Sequence, residues 1–313
     1  MMTALRRGWE VLFSVGFAAI WIAGGGIMFG QSGGNTPLGL VSPGASGGAI
    51  DAGISHGFSA DLERSDPGDV GIIRYPVRLS YQSPRESEGA FILNLTYEYS
   101  DYDWSEADLF DAAESFGISA VGIRSFSESN WGLFGFGGVS WAAERNGGSL
   151  GRGFSSTVMG GPAYRFSPNL SVTAGVLVST RPERDFRVIP VAAINWRINE
   201  RWSLRTLNGA VLTFVPDEMR RHQIEFSGEF RNRGIRLREQ LLPDASSDRP
   251  SVEEREIAVG LGWTGRVTEM ITVKIFAEYL FERKWRFRAN EKTYRTVEAE
   301  NAALVGFQVK HAF

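Results

Sequence analysis

From residue 49 to the C-terminus the chain is patterned in twos. Phe91, Leu93, Leu95, Tyr97 and Tyr99 share one parity, and Ile92, Asn94, Thr96, Glu98 and Ser100 share the other. The same alternation sets Leu170, Val172, Ala174, Val176 and Val178 against Ser171, Thr173, Gly175, Leu177 and Ser179. It then sets Phe186, Val188, Pro190, Ala192, Ile194, Trp196 and Ile198 against Asp185, Arg187, Asn195 and Arg197. Ile257, Val259, Leu261 and Trp263 continue it, as do Ile271, Val273, Ile275, Ala277, Tyr279 and Phe281 opposite Lys274, Glu278 and Glu282. Successive side chains of a strand point to opposite faces, so a period of two predicts strands. Segments of about ten to fourteen residues are what a tilted strand needs to cross a bilayer.

The connections alternate in length. Short polar turns are expected at 125–130, 167–169, 199–201 and 265–269, and long connections at 142–153, 242–251 and 284–300. Short turns on one side and long loops on the other are the habit of membrane barrels, whereas a two-sheet sandwich gives no such segregation. Eleven strands are expected near 50–60, 70–82, 88–100, 113–125, 129–142, 153–166, 169–180, 184–198, 252–264, 268–283 and 301–313, and three more must come from 201–241. There the favoured division is 201–207 and 209–215 around a tight turn at Asn208-Gly209, followed by one long strand over 219–241 with a bulge at Gly234. Asn-Gly is a strong hairpin signal, although it leaves two strands short for a membrane crossing. The other division is 201–214, 219–232 and a stub at 234–241.

The chain therefore reads as all-β: a single antiparallel up-and-down transmembrane β-barrel over 49–313, of about 14 strands. Twelve is the alternative, should 50–60 stay unpaired and one short strand drop out. Ahead of it, 1–31 reads as a signal peptide, with Arg6 and Arg7 before the apolar run from Val11 to Ala23 and small residues at Ala23 and Gly25. A membrane-anchoring helix is the rival, opposed by Glu10 and the Gly24-Gly25-Gly26 break. Residues 32–48, rich in Gly, Ser and Pro, read as a flexible lead-in.

Tryptophans mark the expected membrane interfaces. Trp131, Trp196, Trp202 and Trp263 lie near short turns, and Trp104, Trp141 and Trp285 at the opposite ends. Trp131, Trp141, Trp196, Trp202, Trp263 and Trp285 form the expected girdle. The ten residues between Trp131 and Trp141 span about 25 Å of membrane normal at a tilt near 40°.

In the last segment, Ala303, Val305, Phe307, Val309, His311 and Phe313 alternate with Ala302, Leu304, Gly306, Gln308, Lys310 and Ala312. This resembles the closing strand of bacterial outer-membrane β-barrel proteins, which ends in Phe. His311 departs from the pattern, which prefers Tyr or an apolar residue there. The resemblance implies the outer membrane of a Gram-negative cell, contact with its lipid and lipopolysaccharide, and an assembly signal in Phe307, Val309 and Phe313 read by the barrel-assembly machinery. The run from Arg187 to Trp196, followed by Asn199-Glu200-Arg201-Trp202-Ser203-Leu204, resembles a narrower family of outer-membrane barrels known only as a domain of unknown function. That likeness spans about residues 70–313 and implies a barrel without naming an activity.

Composition agrees with this reading. There are 37 glycines, 12% aromatics and no cysteine, which suits an oxidising periplasm. Mean hydropathy is −0.14, the average expected when lipid-facing and lumen-facing residues alternate. A net charge of −3 with no long Lys/Arg run argues against a nucleic-acid partner.

An outer-membrane acyl hydrolase or protease would need a nucleophile beside a base. The only histidines are His56, His222 and His311. His222 and Ser227 are an odd number of residues apart, so on an unbroken strand they face opposite sides. With no cysteine and no His pair at ligand spacing, no catalytic, cofactor or metal residues are expected. The acidic stretches 101–111 and 244–256 read as solvated loop charge rather than calcium ligands.

The lumen carries the remaining candidates: Arg187, Arg197, Arg221, Glu225, Glu229, Lys274, Glu278 and Glu282, with Glu98, Arg78 and Arg165 beside them. Such charges either line a watery path or pair across the interior and close it. The cost of burying so many ions favours water, hence a narrow, porin-like pore for small solutes. The rival is a closed structural or binding barrel acting through the long loops 142–153 and 284–300.

Overall fold

The computed structural model describes residues 46–63, 68–83, 89–105, 109–126, 129–145, 153–181, 184–207, 209–238, 250–289 and 292–313. The expected signal peptide and most of the lead-in lie outside them. The strands are β1 (Gly47–Asp61), β2 (Asp69–Gln82), β3 (Gly89–Trp104), β4 (Ala112–Ser125), β5 (Trp131–Glu144), β6 (Phe154–Ser167), β7 (Leu170–Arg181) and β8 (Arg184–Arg197). They continue as β9 (Trp202–Thr206), β10 (Gly209–Phe214), β11 (His222–Arg236), β12 (Ser251–Arg266), β13 (Ile271–Ala289), β14 (Lys292–Ala299) and β15 (Ala302–Ala312).

Each strand from β1 to β13 pairs antiparallel with the next, and β15 pairs with both β13 and β1. The sheet thereby closes on itself as a ring of 14 strands, with β14 outside it. Closure leaves the ring without a first or last strand, as a sheet in lipid requires. At the seam, Gly48 N–H donates to Phe313 O (3.0 Å) and Phe313 N–H donates to Gly48 O (2.9 Å). A Cβ on Gly48 would come within 2.3 Å of the Phe313 ring, so the ring lies directly over this glycine.

The expected short hairpin forms between β9 and β10, strands of 5 and 6 residues with Thr206 paired to Ala210. Gly209 adopts φ +154°, and a Cβ there would lie 2.1 Å from the Gly228 carbonyl oxygen, so the turn needs glycine.

Three expectations fail in instructive ways. No bulge occurs at Gly234: the β11–β12 register runs unbroken from His222↔Gly265 to Arg236↔Ser251. The alternation only looks lost there because Arg231, Arg233 and Ile235 share the inner parity. Secondly, the expected loop 284–300 is largely a hairpin, in which β13 runs on to Ala289 and β14 returns along it. Thirdly, β13 carries a bulge opposite Glu256: Arg255 pairs with Lys284 and Ile257 with Phe281, leaving two residues against one, with Glu282 at φ 49°. This bulge inverts the parity of everything after it.

Candidate functional site: the barrel interior

The parity that reads as apolar in sequence faces outward. Phe91, Leu93, Leu95, Val176, Val188, Leu261, Ile275 and Phe307 are all exposed on strands of the ring. A continuous belt of this kind exceeds any patch a soluble monomer leaves in water, and lipid is its partner. The chain folds as a transmembrane β-barrel. Trp131, Trp196 and Trp263 are exposed on it, while Trp202 and Trp141 are half-buried against Phe214 and Phe154.

Trp285 departs from the expected girdle. It is 0% exposed, inside a cluster with Val70, Ile72, Tyr102, Phe110, Ile235, Val252, Phe287 and Val297 at the long-loop end. Trp104 packs edge-on against it at 5.1 Å. Its position follows from the bulge: counting in twos from Ile271 points residue 285 outward, and the extra residue at Glu282 turns Arg283, Trp285 and Phe287 inward. The same bulge removes Glu282 from the lumen, leaving it exposed.

Beneath this apolar layer lies an ion network. Arg74 donates to Glu256 (2.9 and 3.2 Å) and to Glu254 (3.0 Å). Arg231 donates to both oxygens of Glu278 at 2.8 Å and to Glu229 at 3.1 Å. Arg233 joins Glu254 (2.7 Å), Ser100 (3.0 Å), Glu98 and Tyr102. Forked guanidinium–carboxylate pairs of this kind combine direction with charge, as buried ions require. The network ties β2 and β3 to β11, β12 and β13 across the interior. Its members bond one another directly, where a watery lining was the expectation for Glu229 and Glu278.

The mouth is drawn together above the network. Arg236 of β11 bridges to Ala143 of β5, although five strands separate β5 from β11 around the ring. The Arg238 guanidinium meets the Glu144 carboxylate at 3.0 Å, and the Arg238 N–H donates to the same group at 2.9 Å.

Toward the short-turn end the interior opens into a cavity of about 250 Å³. Six cationic side chains line it, Arg78, Arg220, Arg221, Arg266, Lys274 and Lys310, against the three carboxylates Asp51, Glu98 and Glu225. Asp51 lies in register with Arg78 on one side and Lys310 on the other. Lys274 Nζ is 2.6 Å from Glu225, and Arg205 is 3.8 Å from the same carboxylate. The opposite inner wall, β4 to β8, carries an apolar row instead, with Val121, Phe134, Phe136, Met159, Leu177 and Ile189 buried among inward serines and threonines such as Ser155, Thr173 and Ser179.

The expected lumen residues are thus divided. Arg78, Arg221, Glu225 and Lys274 line the cavity; Glu98 lines it too and also joins the ion network, where Glu229 and Glu278 lie. Arg187 is half-buried, whereas Arg197 and Arg165 are exposed toward the short-turn end. Sequence reasoning missed Arg74, Arg231, Arg233, Glu254 and Glu256. The last two were taken for solvated loop charge, yet they sit on β12 with under a tenth of their surface exposed. Counting back in twos from the outward Trp263 would have placed both inside. His222 stacks on Trp263 at 5.7 Å and is exposed, and the unbroken register sets it on the face opposite Ser227.

No family profile matches the chain, and no curated protein does. Among solved structures it is similar to an outer-membrane channel from Pseudomonas putida F1 (TM-score 0.47, 10% identity, 88% of this chain and 100% of that one). It is also similar to a deltaS2 mutant of the TodX monoaromatic hydrocarbon channel (0.44, 8%, 86% and 91%) and to the KdgM porin (0.34, 7%, 85% and 99%). Likeness this distant adds nothing on function, and the fold rests on the strand register above.

Proposed function

We propose that the barrel is a narrow channel passing small solutes across the outer membrane, with the short turns in the periplasm and the paired ion layer as its constriction. The charged cavity carries this reading: about 250 Å³ of space lined by six cations and three carboxylates suits small hydrated solutes, and anions above others. In the same reading, Trp131, Trp141, Trp196, Trp202 and Trp263 meet the lipid interfaces, lipopolysaccharide surrounds the long-loop end, and Phe307, Val309 and Phe313 serve recognition by the assembly machinery. The reading includes membership of the uncharacterised barrel family resembled by Arg187 to Trp196, and it assigns no catalysis.

The test is conductance in planar bilayers of refolded, heat-modifiable protein in KCl. Discrete steps with anion preference are expected. A second reading, a closed barrel that binds a partner through its long loops, is favoured by the apolar cluster beneath that end. Correctly folded protein that leaves the bilayer silent supports it and removes the channel.

A further inference from the structure

The wall of the barrel is incomplete on one side. β9 and β10 have 5 and 6 residues, while β8 and β11 beside them have 14 and 15. Pairing between β8 and β9 ends at Asn195↔Arg205, and pairing between β10 and β11 ends at Gly209↔Glu229. Above those points, among the described residues, no strand lies between the remainder of β8 and that of β11.

The β8 edge carries the marks of a permanent edge. Ile198 N–H donates to Trp202 O, and Ile194 N–H donates to Thr206 Oγ1, each at 2.9 Å, so the even-numbered amides of β8 face this side. The Thr206 hydroxyl ends the pairing where a backbone carbonyl would have continued it. Pro190, four residues on with the register unbroken, has the same parity and no N–H to offer. At about 3.3 Å per residue and a tilt near 40°, Pro190 stands roughly 15 Å above the Trp196 level, inside the hydrocarbon core. A strand edge at that depth is tolerated only where it borders protein or a cavity.

An apolar row on the inner wall leads to this edge. Val121, Phe136, Met159, Leu177 and Ile189 are consecutive register partners across β4 to β8, and Leu207 at the tip of the short hairpin packs against them. The facing wall holds the ion network and a smaller apolar cluster of Ala258, Phe276, Leu280 and Leu304, whereas this row alone ends at the open β8 edge.

We infer that the gap above the β9–β10 hairpin is a lateral passage through which small uncharged apolar solutes move between lumen and bilayer. The apolar row is its lining and Leu207 its sill. The inference shares with the channel reading only the admission of solutes into the barrel from outside, does not need the aqueous route through the ion layer, and names a different exit and a different class of solute.

Uptake of N-phenyl-1-naphthylamine, an uncharged aromatic that fluoresces in phospholipid, tests it in cells with an intact lipopolysaccharide leaflet. Cells making the protein should take it up faster than cells lacking it, and Ile189→Asp or Leu177→Asp should return uptake to the level of cells lacking it. Uptake no faster than that level, or unchanged in both variants, overturns the inference. Because either variant could fail to fold, a second measurement uses the absence of native cysteine. A spin label on Ile189→Cys in bilayers should collide more with oxygen than with a water-soluble nickel chelate, as a label on the outward Val188→Cys does. A label that prefers the nickel chelate, or that meets neither reagent, overturns it. KCl conductance separates the two readings: steps without naphthylamine uptake leave the aqueous channel and remove the lateral passage, whereas uptake in a silent bilayer does the reverse.

Discussion

Arg74 of β2 holds Glu256 of β12 by two hydrogen bonds of 2.9 and 3.2 Å, across 182 residues of sequence and with four-strand spacing around the ring. Glu256 also meets Arg231 at 3.4 Å, and Arg74 also meets Glu254, so the pair is the joint of the whole ion layer. Both side chains are less than a tenth exposed. Arg74→Met leaves two carboxylates with part of their compensation removed, and breaking a buried pair costs about 3–5 kcal/mol. Chemical unfolding of the refolded protein in micelles should show a loss of that order. Lysine at the same position, a single point charge without the fork, should recover only part of it.

Selectivity should follow the cavity. Lys310 and Arg78 flank Asp51 in the register, within a lining where cations outnumber carboxylates. Lys310→Glu exchanges a positive charge for a negative one, and the reversal potential in a KCl gradient should move toward cation preference. Lys310→Gln should move it by a smaller amount in the same direction. A reversal potential indifferent to both substitutions would place the permeation path elsewhere.

The bulge on β13 predicts opposite effects for two nearby residues. Glu282 occupies φ 49°, a conformation that costs a non-glycine residue about 1–2 kcal/mol. Glu282→Gly should therefore keep or raise stability by roughly 1 kcal/mol, even though glycine in a strand usually weakens it. Trp285, fully buried beside Trp104 and Phe287, should lose about 3–5 kcal/mol on truncation to alanine. Had Trp285 faced lipid, its truncation would have been mild. Unfolding midpoints of the two variants distinguish the arrangements.

The turn between β10 and β11 should respond to acid. Asp217 accepts hydrogen bonds from the backbone N–H of Arg221 (2.7 Å) and of His222 (2.9 Å), and these hold its carboxyl below the usual aspartate range. Its folded pKa is depressed, so its contribution is complete above the unfolded value and disappears as pH falls through the folded one. Hydrogen-exchange protection of the Arg221 and His222 amides should hold at neutral pH and fall in acid. In Asp217→Asn that acid step should be missing.

Much of the barrel is legible in sequence wherever one face of a strand meets lipid and the other does not. Phe91 to Tyr99, Leu170 to Val178 and the closing run to Phe313 announce both the strand and its outward face. The short β9–β10 hairpin is equally plain from the Asn-Gly signal, and Gly209 holds a backbone conformation that admits few residues. Legibility fails where both faces are buried by protein. There Arg231, Glu254 and Glu256 follow the strand period faithfully, but charge on an inner face looks the same as charge in a loop.

The period of two and the turn chemistry were enough to call for an outward-greasy barrel of about 14 strands, since each depends only on neighbours along the chain and on the solvent outside, while the choice of 14 over 12 came from the strand pairing. What fills the barrel was decided by tertiary structure alone. Whether Arg74 finds Glu256, whether β11 leans to β5, and which way Trp285 points all depend on strands far apart in sequence and on a single extra residue at Glu282. A one-residue slip in a pleated strand reverses every side chain beyond it, and nothing local records on which strand that slip occurs.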